Sequence, residues 1–210
     1  MLEEARVTDQ QRVAKGPRVF VGLRIAPTIA KELAQHAHHL ERAPSRFVPC
    51  DDIHLTLVPP WNENSVPDVI EKLRATSSRL GPFPLAFTRL SYWPNHRRAR
   101  LLCVECTPSD ELAALQSALL NAFGQTNDRP FKPHVTLARL KRGAKAASTK
   151  SALDQDLTLE QSIDTVELFQ SPKPPAKGYA VLASVPLSAG HGGTGLAPSP
   201  SSAFEKGRGI

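Results

Sequence analysis

Between residues 18 and 187 the apolar positions alternate between a spacing of two and a spacing near four, and each change of spacing marks an element. Arg18 to Ile25 is an apolar run suited to a central strand. Pro27 then opens a helix to about Glu41, with Ile29, Leu33, Ala37 and Leu40 at helical spacing. Phe47-Val48 and Ile53 to Val58 read as strands, the second ended by Pro59-Pro60, whose nitrogens cannot donate to a ladder. Ser65-x-x-Asp68 matches a capping-box start, and Val69, Leu73 and Leu80 follow on one helical face. Phe83 to Trp93 and Ala99 to Cys106 form a hairpin pattern around the polar turn Pro94 to Arg98. Thr107-Pro108-Ser109-Asp110 signals another helix with Pro at its first position, and Leu112, Leu115, Leu119 and Phe123 line its face. His134 to Leu140 is a further strand. A short helix is expected near Ala146 to Leu153, and Ile163 to Gln170 with Tyr179 to Leu187 are expected to form a closing strand pair.

Strand, helix, strand and helix thus recur twice, which predicts an α+β fold of two weakly related lobes, about 18–80 and 83–187, rather than a doubly wound parallel sheet. Antiparallel pairing should dominate, because hairpins alternate with the helices. Residues 1–17 read as a polar, flexible arm. From Ser188 to the end Gly, Pro and Ser dominate, with too little apolar content to offset chain entropy, so a disordered tail is expected over 188–210.

A chain of 210 residues can bury a substantial core. Its net charge of +6 and pI near 9.5 suit a polyanionic partner, since Lys and Arg displace the counterions of phosphates; the same charge also serves ordinary solubility. Cys50, Cys103 and Cys106 are too few for a disulfide framework, and an odd count fits a reducing compartment. Cys103 and Cys106 have no second pair to complete a zinc site, and residues three apart on a strand point to opposite faces, so they read as structural or incidental. Met1 to Lys15 has no apolar core of a signal peptide, and no run approaches the roughly 20 apolar residues of a spanning helix. A soluble cytoplasmic protein without a membrane partner is expected, with a monomer the default assembly.

One pattern carries chemistry. His54-Leu55-Thr56-Leu57 and His134-Val135-Thr136-Leu137 repeat the same strand tetrapeptide 80 residues apart. Two such matches arise by accident in a chain of this composition at about the 0.2% level. On a strand each His shares a face with its Thr, while the apolar neighbours point the other way. Two imidazoles facing one cleft can pass protons on both sides of a phosphate: titrating near pH ~6.5, one ring takes a proton from water while the other gives one to a leaving alkoxide. The threonine hydroxyls can donate to non-bridging phosphate oxygens. The arrangement calls for no metal and no cofactor. Asp51 and Asp52 either orient His54 or form the turn before its strand.

Arg129-Pro130-Phe131-Lys132-Pro133-His134-Val135-Thr136-Leu137-Ala138-Arg139 closely resembles the second motif of the 2H phosphoesterases, above all the RNA 2′,3′-cyclic phosphodiesterases also called 2′-5′ RNA ligases. Phe20-Val21-Gly22-Leu23, the motif at His54, and Leu168-Phe169-Gln170-Ser171 followed by Gly178-Tyr179 extend the likeness over about residues 18–187. The resemblance implies a bilobal fold with a cleft between pseudo-symmetric lobes, and metal-free hydrolysis of a 2′,3′-cyclic phosphate on RNA ends or small nucleotides to a 2′-phosphomonoester. His54 would be the proton donor, His134 the proton acceptor, and Thr56 and Thr136 the phosphate ligands. Reversal would join a 2′,3′-cyclic phosphate to a 5′-hydroxyl through a 2′-5′ bond. The family often continues its first motif into Phe-Leu-Gly; Val58-Pro59-Pro60-Trp61 departs from that and bears on subfamily.

Arg139 fits the family position that helps bind nucleotide. Strict alternation puts it on the face opposite His134, so the strand must end or bulge before it to reach the cleft, and a solvated arginine is the alternative. Lys141, Arg142 and Lys145 follow the motif directly and are candidate substrate contacts. Tyr179 either lines the site or packs as a core strand tyrosine. Arg97, Arg98 and Arg100 beside Trp93 are an RNA clamp or an ordinary charged hairpin tip. His36, His38 and His39 read as a solvated helix face rather than a metal site, and His191 as incidental. Two other functions stay open at this point: a nucleotide- or RNA-binding module without chemistry, and a sister 2H phosphodiesterase acting on cyclic ADP-ribose phosphate or 2′-5′ oligoadenylate.

Overall fold

The computed structural model describes residues 16–38, 45–95, 99–126, 130–140 and 156–188. In chain order these form β1 (Arg18–Arg24), α1 (Pro27–His38), β2 (Ser45–Phe47), a 3₁₀ turn (Cys50–Asp52), β3 (His54–Asn62), α2 (Val66–Ser77), β4 (Phe83–Trp93), β5 (Leu101–Cys106), α3 (Asp110–Ala122), β6 (His134–Leu140), β7 (Asp156–Ile163), β8 (Thr165–Gln170) and β9 (Ala180–Pro186). Nearly all of the flexible arm expected over 1–17, the helix expected near 146–153 and nearly all of the expected C-terminal tail fall outside the described residues.

All nine strands join one sheet in the order β7-β4-β5-β6-β3-β1-β8-β9, with β2 on β6. Every pairing is antiparallel. The sheet has a seam at its centre, where β3 and β6 share only the pair Leu55 and Val135. Beyond that pair the strands diverge, and β2 takes the edge of β6 that β3 leaves. On either side of the seam lies a strand–helix–strand unit, β1-α1-β3 and β5-α3-β6, whose last strand carries the His-x-Thr pattern. The three helices bury Leu33, Leu73 and Leu115 in one cluster with Leu23, Leu55, Leu57, Val135 and Leu137, so the opposite face of the sheet is left for the cleft.

This order differs from a division into 18–80 and 83–187. β8 and β9 pair with β1, so the second half of the chain supplies strands to both ends of the sheet. Their buried residues Val166, Leu168 and Val185 complete the apolar surface that Val19 and Val21 begin, while Phe169 meets Phe20 on the other face.

Local boundaries also differ in instructive places. β3 runs through Pro59 and Pro60. Val21 pairs with Val58 and Val19 with Trp61, so the prolines occupy an irregularity where the ladder asks for no N–H. Ser65 caps α2 by position but its hydroxyl makes no capping bond; its own N–H is held by the Glu63 carboxylate at 2.9 Å. Ser109, not Thr107, caps α3, accepting from the Leu112 N–H at 3.2 Å, which leaves Pro108 ahead of the helix. β7 is an edge strand beyond those expected.

Candidate active site

The seam assembles the cleft. Antiparallel register continued one residue either way from Leu55 and Val135 sets His54 opposite Thr136 and Thr56 opposite His134. Leu55 and Val135 are fully buried on the helix side, so their four neighbours share the other face. A local two-fold axis through the Leu55–Val135 pair therefore relates one His-Thr pair to the other.

Both imidazoles are held in the same way. His54 Nδ1–H donates to the Asp52 carbonyl at 2.7 Å, and His134 Nδ1–H donates to the Lys132 carbonyl at 2.8 Å. A carbonyl can only accept, so the proton of the neutral ring sits on Nδ1, and among the described residues neither Nε2 has a hydrogen-bond partner. Asp52 thus orients His54 through its main chain. Its carboxylate acts elsewhere, with Oδ1 accepting from the Tyr179 N–H at 2.9 Å.

Each strand carries a bulge at the same place. Gly22 pairs with Thr56 and Val21 with Val58, so Leu57 is an extra residue in β3; Cys103 pairs with Thr136 and Leu102 with Ala138, so Leu137 is the extra residue in β6. The carbonyls that a bulge removes from the ladder find partners. Leu57 O accepts from Gln116 Nε2 at 3.4 Å, which accounts for a buried glutamine on α3, and Leu137 O accepts from the Val48 N–H at 2.8 Å. Leu57-Val58 and Leu137-Ala138 are each buried in succession, and alternation restarts after them. Arg139 therefore returns to the face of His134 and Thr136, through the bulge that strict alternation required. It lines a hollow with Asp52 and Tyr179.

The surroundings of the two rings are unequal. His54 lies among Phe20 (ring centroids 4.8 Å), Phe169 (5.5 Å) and the edge of Tyr179 (5.1 Å). Burial there holds its pKa below the usual 6.5; the Asp52 carbonyl and carboxylate oppose the shift, while Arg139 and His134 add to it. His134 packs on Trp93, with ring centroids 4.2 Å apart and the planes tilted by 33°. Across the sheet from His134 stands Glu105, paired with Arg89 at 3.0 Å. Burial raises the Glu105 pKa, but Ser91, Arg89 and Trp93 beside it win, leaving the carboxyl below its ordinary range.

Cys103 Sγ lies 3.9 Å from Thr136 Oγ1, and burial pushes the thiols of Cys103 and Cys106 up to about 12, so neither is a thiolate near neutrality. His38 packs on Phe47 at 4.1 Å, and His36 borders an outer hollow of about 400 Å³ along α1 that shares no residue with the cleft. Among the described residues no group of three or more His, Cys, Asp or Glu is placed to hold a metal ion. Arg100 is exposed. Arg97, Arg98, His39, Lys141, Arg142, Lys145 and His191 lie outside the described residues. Sequence reasoning did not assign Phe20, Phe169 or Trp93 to the site. The signal for them is register: Phe20 pairs with Phe169 beside His54, and Trp93 follows Ser91, the partner of Cys103, on the same face.

A family model described as the 2′-5′ RNA ligase superfamily matches residues 25–173. The chain belongs to this family. A Bacillus subtilis protein described as RNA 2′,3′-cyclic phosphodiesterase is 28% identical over 130 residues, 59% of this chain and 71% of that protein. Among solved structures, TT0787 of Thermus thermophilus superposes with a TM-score of 0.67 at 24% identity, covering 83% of this chain and 100% of that one. Escherichia coli LigT complexed with NADP+ gives 0.62 at 22% identity, covering 82% and 98%. These neighbours share the open, antiparallel-rich α+β sheet. Family and relative together make the chain a phosphoesterase.

Proposed function

We propose that this 2′-5′ RNA ligase superfamily member hydrolyses 2′,3′-cyclic phosphates on RNA ends or nucleotides to 2′-phosphomonoesters. The observation that carries this reading is the two-fold arrangement of His54, Thr56, His134 and Thr136 about the Leu55–Val135 pair, with neither Nε2 hydrogen-bonded among the described residues. It is supported by the name of the Bacillus subtilis relative, and by nucleotides, NADP+ and 3′-AMP, in Escherichia coli LigT complexes.

In the proposed reaction His134 Nε2 takes a proton from water as the water oxygen attacks phosphorus. The P–O3′ bond breaks, and His54 Nε2–H gives its proton to O3′. Thr56 and Thr136 donate to the non-bridging oxygens, where charge builds up. Since burial favours the neutral form of His54, its proton has to be secured by the substrate anion. A phosphate anion beside the ring favours its protonated form and so opposes the effect of burial. The reverse reaction replaces water by a 5′-hydroxyl and forms a 2′-5′ bond, which water normally outcompetes.

The test is product analysis after incubating a 2′,3′-cyclic-phosphate-ended oligonucleotide with the protein and EDTA. A 2′-phosphate product formed at an undiminished rate is expected. A 3′-phosphate product or arrest by the chelator would contradict the scheme, and tight binding without turnover would favour a binding module. Faster turnover of cyclic ADP-ribose phosphate or 2′-5′ oligoadenylate would move the assignment to a sister activity.

A further inference from the structure

We propose that Arg46, Arg139 and Lys177 form a second phosphate subsite beside the reacting centre, which takes the 5′-phosphoryl group of the nucleotide whose cyclic phosphate reacts. This rests on the cyclic-phosphate reading above and narrows its substrates to nucleotides with a phosphoryl group on O5′, as a monoester or as the diester of an RNA chain.

Arg46 and Arg139 are register partners on β2 and β6. Like charges directly opposite on one face repel, and such a pair is normally relieved by a carboxylate. Among the described residues only two ion pairs occur, Arg24 with Glu167 and Arg89 with Glu105, and neither involves this pair. Both arginines instead line a hollow of about 290 Å³ together with Lys177. Among the described residues that line it are three cations and one carboxylate, Asp52, whose Oδ1 is already engaged by the Tyr179 N–H. That bond also pins the segment carrying Lys177, and Gly178, with φ at +81°, makes the turn that a residue with a side chain would strain. The backbone that carries Lys177 is thus held in place beside the hollow.

Its position fits a neighbouring phosphoryl group. Asp52 and Tyr179, which line the hollow, also touch His54. Arg139 lies three residues after Thr136, about 7–10 Å along the strand, which is on the scale of one ribose. Guanidinium groups bind phosphoryl oxygens through paired donors, so an anion here would relieve the Arg46–Arg139 repulsion and gain charge-assisted hydrogen bonds.

The experiment is equilibrium binding, by calorimetry on the full chain, of adenosine 2′-monophosphate, adenosine 2′,5′-bisphosphate and a diadenylate ending in a 2′-phosphate. The bisphosphate is expected to bind at least about tenfold more tightly than the monophosphate, as one charge-assisted hydrogen bond would give. Arg46→Ala and Lys177→Ala should each remove most of that ratio while leaving monophosphate affinity within about twofold. The diadenylate tells which form is preferred: an advantage matching the bisphosphate marks an RNA-chain site, and a smaller one a site for the 5′-monoester. Equal affinities, no binding of either mononucleotide, or a ratio that survives both substitutions would overturn the subsite. Failure of the function reading shows separately, as absent turnover of a 2′,3′-cyclic phosphate.

Discussion

Gly22 offers a sharp perturbation of the seam that touches no reacting group. It stands opposite Thr56 in the β1–β3 ladder, and a Cβ there would lie 2.6 Å from the Leu55 carbonyl oxygen and 3.5 Å from Phe169 Cε2. Carbon and oxygen settle at about 3.3 Å or more, so in Gly22→Ala the two strands must part by about 0.7 Å at the residue between His54 and Thr56. Overpacking of this kind costs about 1–3 kcal/mol. The stiffer unfolded chain returns about 0.5–1 kcal/mol, leaving a net loss of up to about 2.5 kcal/mol, centred a little above 1 kcal/mol. For a chain of this size the central value lowers Tm by about 2–5 °C. Catalytic groups tolerate displacements of about 0.5 Å, and about 1 Å costs on the order of a hundredfold, so kcat on a 2′,3′-cyclic nucleotide should fall about tenfold. Urea denaturation and steady-state kinetics on the same preparation measure both. A variant within about 0.5 kcal/mol of the parent and with full kcat would refute the close-approach argument.

Gln116→Leu strands the Leu57 carbonyl at the first bulge and should cost about 1–3 kcal/mol in urea denaturation; an unchanged midpoint would mean that the bulge does not depend on that bond. His54 titrates below 6.5 when folded, so the unfolded chain binds more protons just below that pH. Stability should therefore fall as pH drops from 6.5 to the folded value and level off beneath it, and His54→Asn should remove the slope. The same slope in parent and variant would assign it to other groups. Trp93→Ala removes the ring packed on His134 and should reduce kcat up to about tenfold, with Trp93→Phe recovering most of it. Equal rates in all three proteins would show that the indole does not orient His134.

How far this was legible in the sequence follows from which forces act locally. The His-x-Thr strands were readable because period-two alternation and two rare residue types coincide in four residues. The need for a bulge before Arg139 could be stated, but not where it falls, since Leu57-Val58 and Leu137-Ala138 look like any apolar run. Its position depends on Gln116 and Val48, far away in sequence. Pro59-Pro60 read as a stop because the missing N–H is a local fact, whereas the irregularity that absorbs it belongs to the pairing with β1. β7 was missed because Gln161 interrupts its apolar face. That side chain is used across the sheet, accepting from the Ala26 N–H at 2.9 Å and donating to the Arg24 carbonyl at 3.0 Å. Likewise nothing local says that β8 and β9 join β1 rather than β7, because such pairing is decided by which apolar faces meet on folding.

The central claim is that His54 and His134 act on one phosphorus in one turnover, and a double-mutant cycle tests it most directly. Either His→Ala change alone should lower kcat on a 2′,3′-cyclic-phosphate-ended oligonucleotide by about 10²–10⁴-fold, and removing both should cost little more than removing one, as for groups that act as a unit. A single variant that keeps the parent rate, or losses that simply multiply in the double variant, would contradict it.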